Sequence, residues 1–297
     1  MRVDSNYYAQ ILNSLDNTQQ QEQTDLLELS TNRSVNKPSD NPGAAAQEVT
    51  NLAATADAAQ YETNITSTQT MMQSATSALS SVVTQLNQAI SLGTEAANGT
   101  VTAAQQAETA TSVSGILTQI ISLANTSVQG TYLFGGTSST TKPFTQNATA
   151  STGVTYNGNS GVNTVQIGDS LTVQSNVPGD QIFAASSGNV MQSLTDLVTA
   201  LNANDTSGIE TATTEIQSAL QTVSDQQGVY TSSVSQLESQ NTYLQDETVN
   251  LQSQENNLVG ADLTQVITNL TQAQTTDQAT LEATAKIMPM SLLNYLQ

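Results

Sequence analysis

Ile209, Ile216, Val223, Tyr230, Leu237, Leu244, Leu251 and Leu258 recur at every seventh position without a break. With about 3.6 residues per turn, seven residues bring a side chain back to nearly the same side of an α-helix. An apolar heptad sustained this long therefore demands one long helix with a single packed stripe. Leu220 and Val234 lie on the companion stripe, whose other positions are Gln227, Asn241, Thr248 and Glu255. The repeat thus has one strong seam and one weak one. A helix of ~50 residues is ~75 Å long, more than a compact domain needs. The spacing predicts a coiled-coil-like helix, with one helix of an ordinary bundle as the alternative.

The N-terminal half supplies a partner. Ile65, Met72, Leu79 and Leu86 are also spaced by seven, with Val82 and Ile90 beside them. A shorter pattern runs through Ile11, Leu15, Leu26 and Leu29, and a further helix is expected over 104–127 with Val113, Leu117, Ile120, Ile121 and Leu123. Gly93 and the pair Asn98, Gly99 punctuate between helices. From GTYLFGGT (130–137) onward the helical period disappears. Val154 to Tyr156, Val165 to Ile167 and Leu171 to Val173 alternate apolar with polar residues, and Asn157 followed by Gly158 signals a hairpin turn. Val190, Leu194, Leu197, Val198 and Leu201 then restore a helical face, and the segment 261–296 is helical again through Leu263, Ile267, Leu270, Leu281 and Leu292.

The expected fold class is mainly α: a long coiled-coil-like bundle rod built from both chain ends, with a small β domain inserted mid-sequence. The expected divisions are 1–40 with 264–297 as terminal helices, 41–131 with 184–263 as the bundle, and 132–183 as the β module. The two terminal helices are too weakly apolar to fold alone, and the last should lie beside the first.

Composition removes most chemistries. The chain has no histidine and no cysteine, so it lacks the commonest general base and metal ligand and can form neither a disulfide nor a thiolate metal site. Glu210, Glu215 and Asp262 are scattered carboxylates on helices and form no convergent pair. We therefore expect no enzyme, no cofactor and no metal. Five Lys and Arg stand against 25 Asp and Glu, a net charge of -20, which argues against nucleic acid and anionic membranes as partners. No apolar run reaches the ~20 residues that span a bilayer. Asp4 and its polar neighbours stand where a signal peptide needs its apolar stretch, so any export is expected to proceed without a cleaved signal.

Against that background the stretch STNRSVNKPSDNP (30–42) is anomalous. It holds Arg33 and Lys37, two of the five cations, and Pro38 and Pro42, two of the five prolines. The prolines bias Lys37 and Asn41 toward extended conformations, and Ser39 or Asp40 is placed to cap a helix starting near Gly43, with Pro42 in its first turn. The stretch reads as a rigid connector. Its cations serve either as docking points for acidic groups on a neighbouring copy or as solvated loop charges.

Three separated motifs resemble one family. LSTNRSVNKPSDNPGAA (29–45), GTYLFGG (130–136) and the closing 261–297, which ends Ser291, Leu292, Leu293, Asn294, Tyr295, Leu296, are similar in order and spacing to segments of flagellar hook–filament junction proteins, the FlgL group related to flagellin. Asn36, Lys37, Pro38, Ser39 and Asp40 followed by Pro42 match the junction form better than the flagellin form. The resemblance implies a protein exported largely unfolded through the flagellum's own apparatus with a cytoplasmic export chaperone. It further implies assembly as an extracellular ring, with a hook-associated protein on one side and flagellin on the other. Terminal helices would be disordered before assembly and pack as a coiled coil, with Leu15, Leu26, Leu281, Leu292 and Leu296 carrying subunit packing and Arg33, Asn36, Lys37, Pro38 and Asp40 forming the connector. A flagellin-type filament subunit and a coiled-coil surface adhesin are the alternatives. Three residues depart from the pattern. Asn32 stands where the family has Gly, though Asn also accepts a left-handed conformation. Asp277 falls on an apolar seam, where burying a carboxylate is costly. Pro289 should kink or end the last helix near Met288.

Overall fold

The structure is a computed structural model that describes residues 5–147 and 153–295. Its elements in order are α1 (Ser5–Thr31), α2 (Pro42–Ala96), α3 (Ala103–Ala124), β1 (Ser127–Val128), β2 (Thr131–Tyr132), β3 (Phe144–Gln146), β4 (Val154–Tyr156), β5 (Thr164–Gln166), β6 (Thr172–Gln174), α4 (Gly179–Phe183), α5 (Val190–Ala203), α6 (Thr206–Val259) and α7 (Leu263–Tyr295). The mainly α class with long helices from both ends and a small central β region is as expected. The chain divides into two units, one of residues 1–57 with 246–297 and one of 58–245.

In the unit 58–245 the heptad does what its spacing requires. Ile209, Ile216, Val223, Tyr230, Leu237 and Leu244 of α6 are all buried, and so are Ile65, Met72, Leu79, Val82 and Leu86 of α2. Each such side chain contributes ~1.5–3 kcal/mol through removal from water. Helix α3 opens with a capping box in which Thr102 and Gln105 satisfy each other's backbone N–H groups, and it buries Val113, Ile116, Ile120 and Ile121. Helix α5 is capped by Asn189, closes on Asn204 in the left-handed region, and buries Val190, Leu194, Leu197 and Leu201.

Two sequence-level expectations change here. Gly93 does not punctuate: α2 runs through it to Ala96. A Cβ at Gly93 would stand 2.4 Å from the Thr213 hydroxyl of α6, so this glycine marks close helix approach rather than a break. Asn157 and Gly158 do not form a hairpin turn either. Strand β4 pairs backward with β3 (Phe144 opposite Tyr156), β5 pairs with β6 (Val165 opposite Val173), and the Asn157 N–H donates to the Pro143 carbonyl at 2.7 Å. The tight two-residue hairpin is instead β1–β2, where Gln129 (φ 51) and Gly130 (φ 82) give the paired positive φ values of a primed turn. The β region therefore starts at Ser127, ahead of the GTYLFGGT motif.

The β region has its own small core. Phe134, Phe144 and Phe183, the chain's three phenylalanines, are buried, with Phe183 at 5.4 Å edge-to-face from each of the other two. Tyr156 stacks on Phe144 at 4.9 Å and donates its hydroxyl to the Phe134 carbonyl. A polar contact ties this core to the helices: the Tyr230 hydroxyl, on the heptad stripe of α6, accepts the Val177 N–H at 2.9 Å. Burial pushes the Tyr230 phenol up to about 12, with the Val177 hydrogen bond opposing part of that shift.

The folded state thus holds the Tyr230 proton more tightly than the unfolded chain. That stabilisation is complete below pH 10 and is lost as pH rises toward 12. Tyr230→Phe should cost ~1–3 kcal/mol at pH 7 by stranding the buried Val177 N–H. Urea melts of wild type and variant between pH 8 and about 12 should converge as the wild type loses up to ~2–3 kcal/mol that the variant does not.

Candidate functional site: the connector and the terminal helix pair

Helix α1 ends at Thr31, and Asn32 takes φ 58, the left-handed turn that Asn accepts in place of Gly. The chain then enters an antiparallel bridge between Arg33 and Gly260. The Ala261 N–H donates to the Asn32 carbonyl at 3.2 Å and the Ser34 N–H to the Val259 carbonyl at 2.7 Å. The connector is therefore stitched to the segment that follows α6. Val35 is buried here against Ala44 and Val259.

The next turn is built by Asp40. Its Oδ2 accepts the backbone N–H of Asn36 at 3.1 Å and of Lys37 at 2.8 Å, while the Asn36 amide donates to the Arg33 carbonyl at 2.7 Å. Pro38 sits inside this turn, where its fixed φ stiffens the loop and no N–H is missed. With Asp40 so engaged, neither it nor Ser39 caps α2. Asn41 does: its Oδ1 accepts the Ala44 N–H at 3.1 Å, and Pro42 occupies the first helical position. Arg33, Asn36, Lys37, Pro38 and Asp40 are thus brought together in one hydrogen-bonded loop.

The two cations differ in their surroundings. The Arg33 guanidinium pairs with Glu48 through Nη2 and with Glu255 through Nη1 at 3.8 Å, and its Nε donates to the Val35 carbonyl. The Glu48 side chain is largely sheltered, which strengthens this pair relative to a surface one. Lys37 is exposed and makes no ion pair among the described residues. Sequence reasoning did not assign Glu48, Glu255 or Asn41. Glu255 left a signal, because a carboxylate on the companion stripe of a heptad calls for a cation.

Beyond the connector, α1 and α7 pack on each other, with some apolar residues sheltered and others exposed. Leu26 and Leu281 are exposed, as are Leu12, Leu27, Leu29, Leu263 and Ile267, and Leu15 is half-buried. Leu296 lies outside the described residues, and so does the side chain of Leu292. The sheltered side of α1 carries Ile11, Leu15, Glu22, Asp25 and Glu28, and that of α7 carries Val266, Leu270, Ala273 and Asp277. Asp277 is half-buried with an Oδ1 that has no hydrogen-bond partner, in line with the cost its seam position implies. Helix α7 is not ended near Met288. It runs through Pro289 to Tyr295, since one proline deletes a single ladder bond and the helix is continuous across that loss.

Residues 4–139 match the bacterial flagellin N-terminal helical region and residues 213–296 the bacterial flagellin C-terminal helical region. Over 185 residues, 62% of this chain, the sequence is 32% identical to flagellar hook-associated protein 3 of Salmonella typhimurium. Over 140 residues, 47% of this chain, it is 33% identical to the protein of the same name from Escherichia coli. The chain is flagellin-related and resembles the FlgL group. It spans about half the length of the curated relatives it matches, 57% and 44% respectively. The solved structure of a hook-associated protein from Vibrio parahaemolyticus shares the fold at TM-score 0.68 and 20% identity, covering 74% of this chain and all of that one. Bacillus cereus FlgL does so at TM-score 0.60 and 22% identity, covering 70% and 99%.

The contribution of the Arg33 pair to stability should be directly measurable. Arg33→Met should destabilise the unit 1–57 with 246–297 by ~1–3 kcal/mol, because it strands the sheltered Glu48 carboxylate. Adding Glu48→Gln should recover part of that loss. A double-mutant cycle read by urea denaturation should return a coupling of ~0.5–2 kcal/mol, and strict additivity would assign Arg33 no role in holding α2.

Proposed function

We propose that this protein is a non-enzymatic structural adaptor that assembles as a ring at the junction between flagellar hook and filament and is required for filament attachment. The observation that carries this reading is the similarity to flagellin and hook-associated proteins at both chain ends, joined to a helix pair that leaves Leu26 and Leu281 exposed. Apolar side chains at Leu26 and Leu281 lose their contact with water only when another surface covers them. In this reading the terminal helices, 1–40 with 264–297, form the assembly coil and are disordered before assembly. Residues 41–131 with 184–263 form the next layer, and the β module 132–183 faces outward. Copies pack on one another through Leu15, Leu26, Leu281, Leu292 and Leu296, a hook-associated protein binds on the hook side, and flagellin binds on the filament side. The protein works outside the cell, in the flagellum, after export with a cytoplasmic chaperone and without a cleaved signal.

The connector divides its labour on this account. Arg33 holds the loop to α2 and α6, leaving Lys37 as the cation presented to acidic groups of a neighbouring copy. Lys37→Ala should leave the urea midpoint unchanged and impair filament attachment, and normal attachment would return Lys37 to a solvated charge. Light proteolysis at neutral pH should remove residues before about 40 and after about 263, and uniform resistance would contradict disordered ends.

Deletion of the gene tests the whole reading, with electron microscopy of the cell surface and assay of the growth medium. Bare hooks with flagellin shed into the medium are the expected result. Bare hooks with no flagellin anywhere would make this chain the filament subunit, and normal filaments would favour a surface adhesin.

A further inference from the structure

Two Asn–Gly pairs occur in the chain, Asn98 with Gly99 and Asn157 with Gly158, and the assembly reading uses neither. Both asparagines are exposed, but the fold treats them differently. Asn98 lies in the open loop between α2 and α3. Its N–H donates to the Glu95 carbonyl at 3.2 Å, and its own carbonyl accepts the Val101 N–H at 3.0 Å. Its side-chain nitrogen makes no hydrogen bond among the described residues, and neither does the Gly99 N–H. The side-chain Oδ1 accepts the Thr100 hydroxyl at 3.2 Å. A Cβ at Gly99 would meet nothing within 4 Å. Asn157 is tethered instead. Its Nδ2 donates to the Thr145 hydroxyl at 3.0 Å and to the Lys142 carbonyl at 3.5 Å, and its N–H donates to the Pro143 carbonyl at 2.7 Å. Gly158 is pressed against the Tyr156 phenol, which a Cβ there would run into.

We propose that Asn98 is a site of spontaneous deamidation in the folded protein and that Asn157, with the same sequence signature, is not. Solvent base takes the Gly99 N–H proton, and the nitrogen attacks the Asn98 Cγ to close a five-membered ring. The Cγ–NH2 bond breaks, ammonia leaves with a proton from water, and a succinimide remains. Addition of one water opens the ring at either carbonyl, giving aspartate or isoaspartate. The net change is asparagine plus water to acid plus ammonia. Glycine, lacking a Cβ, offers the least hindered backbone nitrogen for the attack. The Thr100 hydroxyl sits on the oxygen that becomes negative in the tetrahedral intermediate, where a donor stabilises the developing charge. At Asn157 ring closure first has to break the side-chain bonds to Thr145 and Lys142, a cost the open loop lacks. The product at position 98 carries one more negative charge just beyond the C-terminal end of α2, the end where the helix dipole disfavours it.

The test follows the purified full chain through a long incubation in mildly alkaline buffer, folded and in urea. A glutamate-specific protease then releases 96–108 with Asn98 and 109–210 with Asn157, and fragment-ion mass spectrometry locates the exchange of amide for acid. In the folded chain Asn98 should convert faster than Asn157 by about tenfold, equivalent to about 1.4 kcal/mol of barrier. In urea, where both pairs lose their surroundings, the two rates should come together. Gly99→Ala fits the open loop and should slow conversion at Asn98 severalfold while leaving the urea midpoint in place. Thr100→Val should slow it as well, and an unchanged rate overturns the part given to Thr100. Equal rates at the two sites in the folded chain, or an Asn98 that stays intact there, overturns the proposal.

Discussion

Within residues 58–245 the structure depends on one unbroken apolar stripe along α6. Burial of Ile209, Ile216, Val223, Leu237 and Leu244 keeps a long polar helix in place, although its Ser, Thr and Gln residues provide little packing of their own. The stripe also organises what is not helical. Tyr230 occupies one of its heptad positions and turns its hydroxyl to the Val177 backbone, so the helix that forms the core also anchors the β region. The three phenylalanines then close that region with edge-to-face contacts, a compact solution for a segment whose strands are only two or three residues long.

In the unit of residues 1–57 with 246–297 the balance shifts from apolar packing to backbone pairing and charge. The cluster of Val35, Ala44 and Val259 is small. Position is set instead by the Arg33 bridge to Gly260, by the Asp40 turn and by the Arg33 pairs with Glu48 and Glu255. A chain with five cations places one of them where it neutralises two sheltered carboxylates at once. That accounts for Arg33 and the prolines of the connector: prolines stiffen the loop, and Arg33 fixes it to two helices.

The terminal pair carries the functional tension. A helix pair with Asp25 buried and Leu26 exposed is poorly matched to remaining alone in water. In the proposed assembly the exposed Leu26 and Leu281 would gain from a neighbouring surface.

Much of this was legible in the residues themselves. The long α6 helix and the Ile65, Met72, Leu79 and Leu86 stripe of α2 followed from a period that only a packed helix satisfies. The connector's composition marked it as special, and its motif, with the two ends of the chain, pointed to the FlgL group. Pairings between distant segments were not legible. Strand β4 chose β3 over the strand beyond Asn157 and Gly158, and Gly93 proved to be a contact with Thr213 rather than a helix stop. Asn41 took the cap because Asp40 was already bound to the Asn36 and Lys37 amides. The partners of Arg33 were hidden for the same reason: Glu255 is 222 positions away in sequence (255 less 33) and meets it only once the chain has returned. Periodicity is a local property that survives in the sequence. Which of several competent donors, acceptors or strands wins is settled by what the rest of the fold brings within hydrogen-bonding distance, and only the tertiary structure decides that.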